Sequence, residues 1–453
     1  MDVNIHKFRY KDLYFLLDVN SGTVHVIDKI IYDIMDSFAG NNDAAVISQL
    51  SADYKQADLQ EALDELHKLI DMGQLFAPNI EIPPVFADKG LVKSMCLLVA
   101  QDCNMRCKYC FADAGEYGDA DKTLMSKEVG EAAVEYIIKH SGKRKHCEID
   151  FFGGEPLVNL SVVKHITAYV RKREQETGKI FKLTLTTNGL ALNDDSIAFL
   201  NDNNISVVIS LDGRKETHDR IRPDAGGNGT YDRIVPKFKK LLAGRNNENY
   251  YMRGTYTKYD LDFTKDVLSM ADEGFDILSM EPVVTKGDVP YAITEADLPE
   301  IFAEYDRLVE AYMQRRRAGK GFFFFHFNVD LNDGPCVAKK LSGCGAGHEY
   351  YAVSAHGDLY PCHQFVGRDK YLLGNVFDGV KNTEMPNHFR NCHVLNKELC
   401  RECWARFFCS GGCHANADLF NNDIYKPYEL GCELQKKRLE SAIVVQAINA
   451  MED

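Results

Sequence analysis

Cysteine dominates the chemistry available to this chain, with 14 among 453 residues. Three of them, Cys103, Cys107 and Cys110, fall in the stretch CNMRCKYC, and nine fall between residues 336 and 432. Thiols at such short spacings can form disulfides, ligate zinc or hold an iron–sulfur cluster. The N-terminal run MDVNIHKFRYKD lacks the apolar core of an export signal, so disulfides lose most of their support and metal ligation is the expectation. A C-x3-C-x2-C loop offers three thiolates. A cubane cluster normally takes one thiolate on each of its four irons, so three ligands leave one iron open to a substrate or cofactor. A three-ligand zinc site is open in the same way.

These residues need elements to position them, and the chain reads as four regions. Residues 1–80 begin with DLYFLLDVNSGTVHVID, apolar and polar residues alternating around Asn20-Ser21-Gly22, which predicts a hairpin. KIIYDIMDSF, NDAAVISQL and LQEALDELHKLIDMGQL carry helical spacing, with Leu59, Leu63, Leu66 and Ile70 on one face and Gly73 as a stop. A hairpin with three helices makes a winged-helix-like module. Residues 81–90 read as a linker, since Pro83 and Pro84 exclude helix.

Residues 91–330 alternate strand and helix. Six candidate strands (SMCLLVA, CEIDFFGG, FKLTLTTNG, ISVVISLDG, NYYMRGTYT and DILSMEPV) are separated by helical stretches such as KEVGEAAVEYIIKHS. Repeated βα units with buried-type strands imply an α/β fold with a parallel sheet. Functional residues are then expected at the C-terminal strand ends. Residues 331–453 are rich in Cys and Gly and close on the helix ELQKKRLESAIVVQAINAM.

The first cysteine loop follows directly on SMCLLVA. FFGGEP ends the second strand, TTNG the third, SLDG the fourth and SMEP the sixth. With these motifs in order, the chain resembles the radical S-adenosylmethionine (SAM) enzymes. In that family the fourth iron is chelated by the amino and carboxylate groups of SAM. One electron then cleaves SAM to methionine and a 5′-deoxyadenosyl radical that abstracts hydrogen. The resemblance implies a partial (β/α)6 barrel with Cys103, Cys107 and Cys110 as cluster ligands and catalytic centre. It places Gly153, Gly154 and Glu155 by the SAM ammonium and Asn188 of TTNG in the cofactor site. Ser210 would contact SAM, Arg222 of HDRIRP would hold its carboxylate or ribose, and Tyr109 and Met280 would lie near its adenine.

The C-terminal cysteines read Cys344-x12-Gly357-x4-Cys362, then Cys400-x2-Cys403-x5-Cys409-x3-Cys413, then Cys432. This resembles the SPASM domain, which carries two auxiliary clusters. Cys400, Cys403, Cys409 and Cys432 would hold an outer cluster, and Cys344, Cys362 and Cys413 an inner one, making three 4Fe–4S clusters in all. Cys336 is a candidate for the remaining inner ligand; an open iron able to take a substrate thiolate is the preferred alternative. Cys96 and Cys147 read as packing residues, and Cys392 has no assigned role.

IHKFRYKDLYFLLDVNSGTVHVID together with CNMRCKYCFADAGEYG resembles the SCIFF maturases, named for six cysteines in forty-five residues of their peptide substrate. That likeness implies thioether bonds between a Cys sulfur and the α-carbon of an acceptor residue in a Cys-rich precursor peptide. The leader of that peptide would add as a strand to the N-terminal module, along the edge supplied by YFLLDVNSGTVHVID. A reduced flavodoxin or ferredoxin-like protein would donate electrons. The alternative is an anaerobic sulfatase-maturing-type enzyme oxidising Cys or Ser to formylglycine. Such enzymes carry an Asp base after the second SPASM cysteine, where this chain has His363. A non-enzymatic peptide carrier or electron-transfer protein is a third reading, and the SAM motifs argue against it.

A net charge of −14 argues against a nucleic-acid partner. No run of about 18 apolar residues suggests a membrane span, and a cytoplasmic location is expected. GFFFFHFNVD (321–330) reads as a buried strand at the barrel edge, and QRRRAGKG as a solvated helix end.

Overall fold

The computed structural model describes residues 4–79, 91–118, 122–331 and 337–452. The expected linker at 81–90 and Cys336 lie outside the described residues. The chain forms two compact units.

The first unit draws on Met1–Asp88, His326–Gly343 and Cys392–Asp453. Its sheet is antiparallel, β1 (Ile5–Tyr10), β2 (Leu13–Asp18) and β3 (Val24–Ile27) in that order. The predicted hairpin is β2–β3. It closes where Ser21 N donates to Asp18 Oδ1 at 2.7 Å and Gly22 takes φ +78. β2 is the central strand, so the expected edge is β3 alone, or β1 on the other side. The apolar run Phe15-Leu16-Leu17 explains this, because all three are fully buried and β2 is covered on both faces. On one face Leu16 joins Ile31, Ile34, Leu59, Leu63 and Leu66 of the helices Lys29–Ile34 and Gln56–Asp71. On the other, Leu17 and Val19 pack on Leu341, Val394, Cys400 and Phe407. Helix Glu429–Glu452 ends this unit.

The second unit comprises Lys89–Phe325 and Cys344–Asn391. Its strands are β4 (Ser94–Ala100), β5 (His146–Gly153), β6 (Ile180–Thr187), β7 (Ser206–Ser210), β8 (Tyr250–Tyr256), β9 (Ile277–Pro282), β10 (Phe323–Phe324), β11 (Tyr350–Val353), β12 (Asp358–Tyr360), β13 (Gly374–Asn375) and β14 (Gly379–Val380). They form one mixed sheet in the order β10-β9-β8-β7-β6-β5-β4-β11-β12-β13-β14. β4 to β9 are parallel neighbours in chain order, as crossover helices require. β11 adds parallel to β4, so Cys344–Asn391 belongs to the sheet unit, while Cys392–Asp453 belongs to the first unit.

β4 is buried throughout, but β5 to β8 alternate, which differs from the expected buried-type strands. Helices cover one face, where the buried residues Phe151, Leu185, Val207 and Tyr250 lie in register. The opposite, interior face presents Glu148, Asp150, Phe152, Lys182, Thr184, Ser210, Tyr251 and Arg253. GFFFFHFNVD gives only the two-residue β10, followed by a tight turn at Phe325–Phe327. Among the described residues no helix is long and apolar enough to cross a membrane.

Candidate active site

Cys103, Cys107 and Cys110 lie on the loop leaving β4, each half-buried. The loop is pinned to the segment after helix Lys215–Ile221. Arg106 N donates to Pro223 O, and Lys108 N to Ile221 O, both at 2.9 Å. Arg106 Nη1 donates back to Cys103 O at 2.6 Å, closing the turn. The three thiols are within electrostatic reach of one another. Burial pushes the Cys103 thiol up to about 12 and raises that of Cys107. Two donors work against this: Met105 N and Asn188 Nδ2 approach Cys103 Sγ at 3.4 and 3.5 Å. Donors aimed at sulfur favour the thiolate, the form that ligates metal.

The glycines at the end of β5 serve the loop itself. A Cβ on Gly153 would stand 2.2 Å from Ala100 O, and one on Gly154 would stand 2.2 Å from Asp102 O. Gly153 also has φ +133. Only glycine lets β5 pass this close to the backbone that carries Cys103. Glu155 is fully buried, and three donors hold its carboxylate. It accepts from Leu157 N at 3.1 Å, Thr187 Oγ1 at 2.9 Å and Asn188 N at 2.8 Å. Burial pushes its carboxyl up to about 7 against the pull of these bonds.

Arg222 and Tyr109 meet in a buried group. Arg222 Nη1 donates to the Tyr109 hydroxyl at 2.5 Å, and that hydroxyl donates to Asp212 Oδ2 at 2.7 Å. Asp212 Oδ1 accepts from Thr255 N at 3.0 Å. The Arg222 charge also reaches Cys107 and draws its thiol down. Arg222 Nε is buried and has no hydrogen-bond partner, an orphaned donor beside the cysteine loop. Asp212 was missed from sequence, although it is the third residue of SLDG. Asn104, which accepts from Asn188 Nδ2 at 2.9 Å, was missed too.

Ser210 ends β7 on the interior face, in register with Arg253. Met280 is not brought to that face. It is buried opposite Gly254, where a Cβ would meet its Cε at 2.8 Å, so alternation along β9 turns it toward the helices. His363 does face the interior. Its ring lies 4.8 Å from Phe152 and 5.5 Å from Phe111, and its Nδ1 is 3.3 Å from the Tyr350 hydroxyl. Burial, with the Arg253 charge, lowers its imidazole to about 4.

In the other unit, Cys432 is within electrostatic reach of Cys409, Cys400 and Cys403. Burial is the main cause that pushes Cys400 up to about 11 and Cys432 up to about 12. The backbone N–H groups of Gly411 and Gly412 donate to the Cys409 sulfur. Of the three expected inner ligands, Cys344 and Cys362 belong to the sheet unit and Cys413 to the first unit. Cys96 and Cys147 are buried in strands, as expected of packing residues. Among the described residues no three His, Cys, Asp or Glu side chains are arranged to hold a single metal ion. A tetrathiolate zinc ion needs sulfurs within about 4 Å of each other, whereas a cluster takes each thiolate on its own iron. The sulfur donor set, its N–H donors and the orphaned Arg222 Nε fit a cluster with an anionic ligand beside it.

Comparison with known proteins agrees with this geometry. The family of 4Fe-4S single cluster domains matches residues 89–231. The cysteine-type anaerobic sulfatase-maturating enzyme of Clostridium novyi is 25% identical over 347 residues, covering 72% of this chain and 90% of its own length. Among solved structures, native anSMEcpe with bound AdoMet superposes with a TM-score of 0.65 at 22% identity, covering 79% of this chain and 98% of that one. Streptococcus suis SuiB bound to S-adenosylmethionine gives a TM-score of 0.54 at 14% identity, covering 93% of this chain and 97% of that one. The mixed α/β sheet, the cysteine loop on its first parallel strand and these relatives lead to one conclusion: the chain is similar to the radical SAM/SPASM-type iron–sulfur enzymes and shares their fold.

Proposed function

We propose that the chain is a radical SAM maturase that oxidises a cysteine-bearing polypeptide. The observation that carries this reading is the convergence of Cys103, Cys107 and Cys110 with the buried Arg222–Tyr109–Asp212 group at the C-terminal strand ends. When bound, a cluster and SAM supply a hydrogen-abstracting radical by one-electron reduction. The chain's residues do the rest. Glu155 fixes the ends of β5 and β6, Gly153 and Gly154 admit the loop, and Arg222 Nε offers a donor for a carboxylate. The interior face carries Phe152 and Tyr251 among charged and polar side chains, with Phe111 and Phe152 against His363, an aromatic surface for a bound peptide.

Oxidation of a Cys side chain to formylglycine is the transformation that the sulfatase-maturating relative supports. In this reading His363, uncharged at neutral pH and facing the interior, stands where those enzymes have an Asp base. The second reading is thioether formation in a Cys-rich precursor peptide. It is favoured by the three-stranded sheet with its edge strand β3, which suits a leader peptide added as a further strand. The fuller coverage of this chain by the SuiB fold, 93% against 79%, with SuiB also solved bound to its precursor peptide SuiA, supports a precursor-peptide substrate without bearing on the bond formed.

The test is anaerobic incubation of the reconstituted chain with SAM, dithionite and one of two peptides, read by mass spectrometry. One peptide is a sulfatase segment with its target Cys, the other a Cys-rich peptide with its leader. An aldehyde trapped by a carbonyl reagent on the first supports formylglycine formation. Loss of a hydrogen pair from the second, with a Cys that no longer alkylates, supports the thioether reading instead. SAM cleavage with both peptides unchanged removes both substrate assignments. No SAM cleavage by iron-replete protein overturns the proposal as a whole.

A further inference from the structure

Lys397 is 1% exposed, three residues before Cys400. Its Nζ donates to Gly411 O at 2.8 Å, and Gly411 lies between Cys409 and Cys413. Nζ would stand 3.5 Å from a Cβ on Gly411, so the ammonium lies directly against the cysteine loop. Among the described residues no Asp or Glu forms an ion pair with Lys397. A buried ammonium without an anion is strongly unfavourable, so its countercharge has to be found.

Cys392 does not supply it. Lys397 hydrogen-bonds the Cys392 sulfur, but Cys392 Sγ–H itself donates to Ile424 O at 3.1 Å, and a donating thiol is a neutral acceptor, not a countercharge. Asp423, the carboxylate nearest in effect, is exposed and accepts from Tyr425 N at 2.8 Å. Lys436 and Arg438 also reach these cysteines, but Lys436 pairs with Glu433 at 2.8 Å and Arg438 binds Gln435. What remains in reach of Lys397 is Cys400, packed beside Val394 and within reach of Cys403, Cys409 and Cys432.

We infer that Lys397 is the built-in countercharge of the outer iron–sulfur centre, a positioning residue that stands behind the Cys409–Cys413 loop and raises the centre's reduction potential. The inference rests on reading Cys400, Cys403, Cys409 and Cys432 as cluster ligands. A cationic group beside a thiolate cluster favours the reduced, more negative form, and net charge and hydrogen bonding are the protein's levers on cluster potential.

The test uses the full chain, reconstituted anaerobically, with iron and sulfide counted and redox steps followed by electron paramagnetic resonance. The pair Cys400→Ala with Cys403→Ala defines the outer centre's share. Lys397→Met is expected to shift that step to lower potential or to lose that share of iron, while Lys397→Arg keeps both. Lys397→Gln, which keeps a donor toward Gly411 without the charge, is expected to act as Lys397→Met does and serves if the latter does not fold. Cys392→Ala is expected to leave the step in place. An unchanged potential and full iron in a neutral Lys397 variant overturn the inference. If the cysteine pair loses no iron and no redox step, the reading of the outer ligands fails instead, and the inference falls with it.

Discussion

The Glu155 carboxylate and the Asn188 backbone N–H meet at 2.8 Å, and this bond ties the end of β5 to the end of β6 beside the cysteine loop. The other oxygen accepts from Thr187 Oγ1 and Leu157 N, so one buried side chain satisfies three donors on two strand ends. Removing it leaves those donors unpaired, at about 1–3 kcal/mol for a buried polar group. Glu155→Ala is expected to lower the thermal midpoint and the iron retained at the first cluster, with Glu155→Gln between it and wild type. Thermal unfolding and iron content in anaerobic protein check this; wild-type values for both in Glu155→Ala would count against the pinning role.

Gly154→Ala adds a Cβ at 2.2 Å from Asp102 O and 3.0 Å from Cys103 Cβ. The atoms it meets are backbone and a Cβ, which cannot turn aside as a flexible side chain would, so overpacking is expected to cost about 1–3 kcal/mol and to displace the loop. Iron at the first cluster and SAM cleavage should fall together, while iron at the outer cysteines stays. A Gly154→Ala protein that cleaves SAM at the wild-type rate would show the close approach to be unnecessary.

Arg222→Met should leave Tyr109 and Asp212 buried without their cation. Breaking a buried charged group costs about 3–5 kcal/mol, and SAM binding is expected to weaken at least tenfold. Arg222→Lys keeps the charge but loses the fork that spans Tyr109 and the orphaned Nε. It is expected to fold like wild type yet still bind SAM poorly, which equilibrium dialysis with labelled SAM measures.

Asp150 faces the interior, and burial with the neighbouring Glu148 raises its carboxyl to about 6 despite Thr184 and Lys182. A folded-state pKa above the ordinary 3.8 means that the folded chain binds the extra proton. Stability is therefore greatest below the ordinary value and declines as pH rises toward about 6. Asp150→Asn should remove this decline. The variant is expected to match wild type near about pH 4 and to exceed it by on the order of 1–3 kcal/mol at about pH 7.5. Urea midpoints at the two pH values decide it; equal midpoints at the higher pH would contradict the burial argument.

Trp404, the single tryptophan, stacks on His6 of β1 at 3.8 Å with the rings 2° from parallel. His6 is held by Glu440 at 3.0 Å, and Arg406 Nη2 donates to Asn20 Oδ1 at 3.0 Å. Trp404 is thus a reporter for the docking of β1 on the cysteine loop. His6→Ala should shift its emission to longer wavelength as water reaches the ring. Arg406→Ala should do so more strongly, by unseating the hairpin turn as well.

Much of the architecture was legible because its signals are local. The hairpin at Asn20–Gly22, the helix around Leu59, Leu63 and Leu66, and the strands from SMCLLVA to DILSMEP each announce themselves through periodicity and turn residues. The aromatic run at 321–330 misled because its hydrophobicity suggests a long strand, yet only Phe323 and Phe324 reach β9. Met280 misled for a related reason. A motif fixes where a residue stands along a strand, but the register with β8 fixes which face it takes.

The sequence by itself determined the ligand chemistry: which thiols lie on one loop, which glycines follow a strand, and that six βα repeats bring those loops to one end. Covalent spacing sets these, and it is fully present in the order of residues. Tertiary structure alone decided the partners. That Glu155 accepts from Asn188, that Asp212 receives Tyr109, that β2 is central and not an edge, and that Lys397 lies buried against Gly411 all depend on residues separated in the chain. Burial gives each of these contacts its force, because a charge or donor removed from water must find its partner inside the fold. Only the packed chain determines which partner that is.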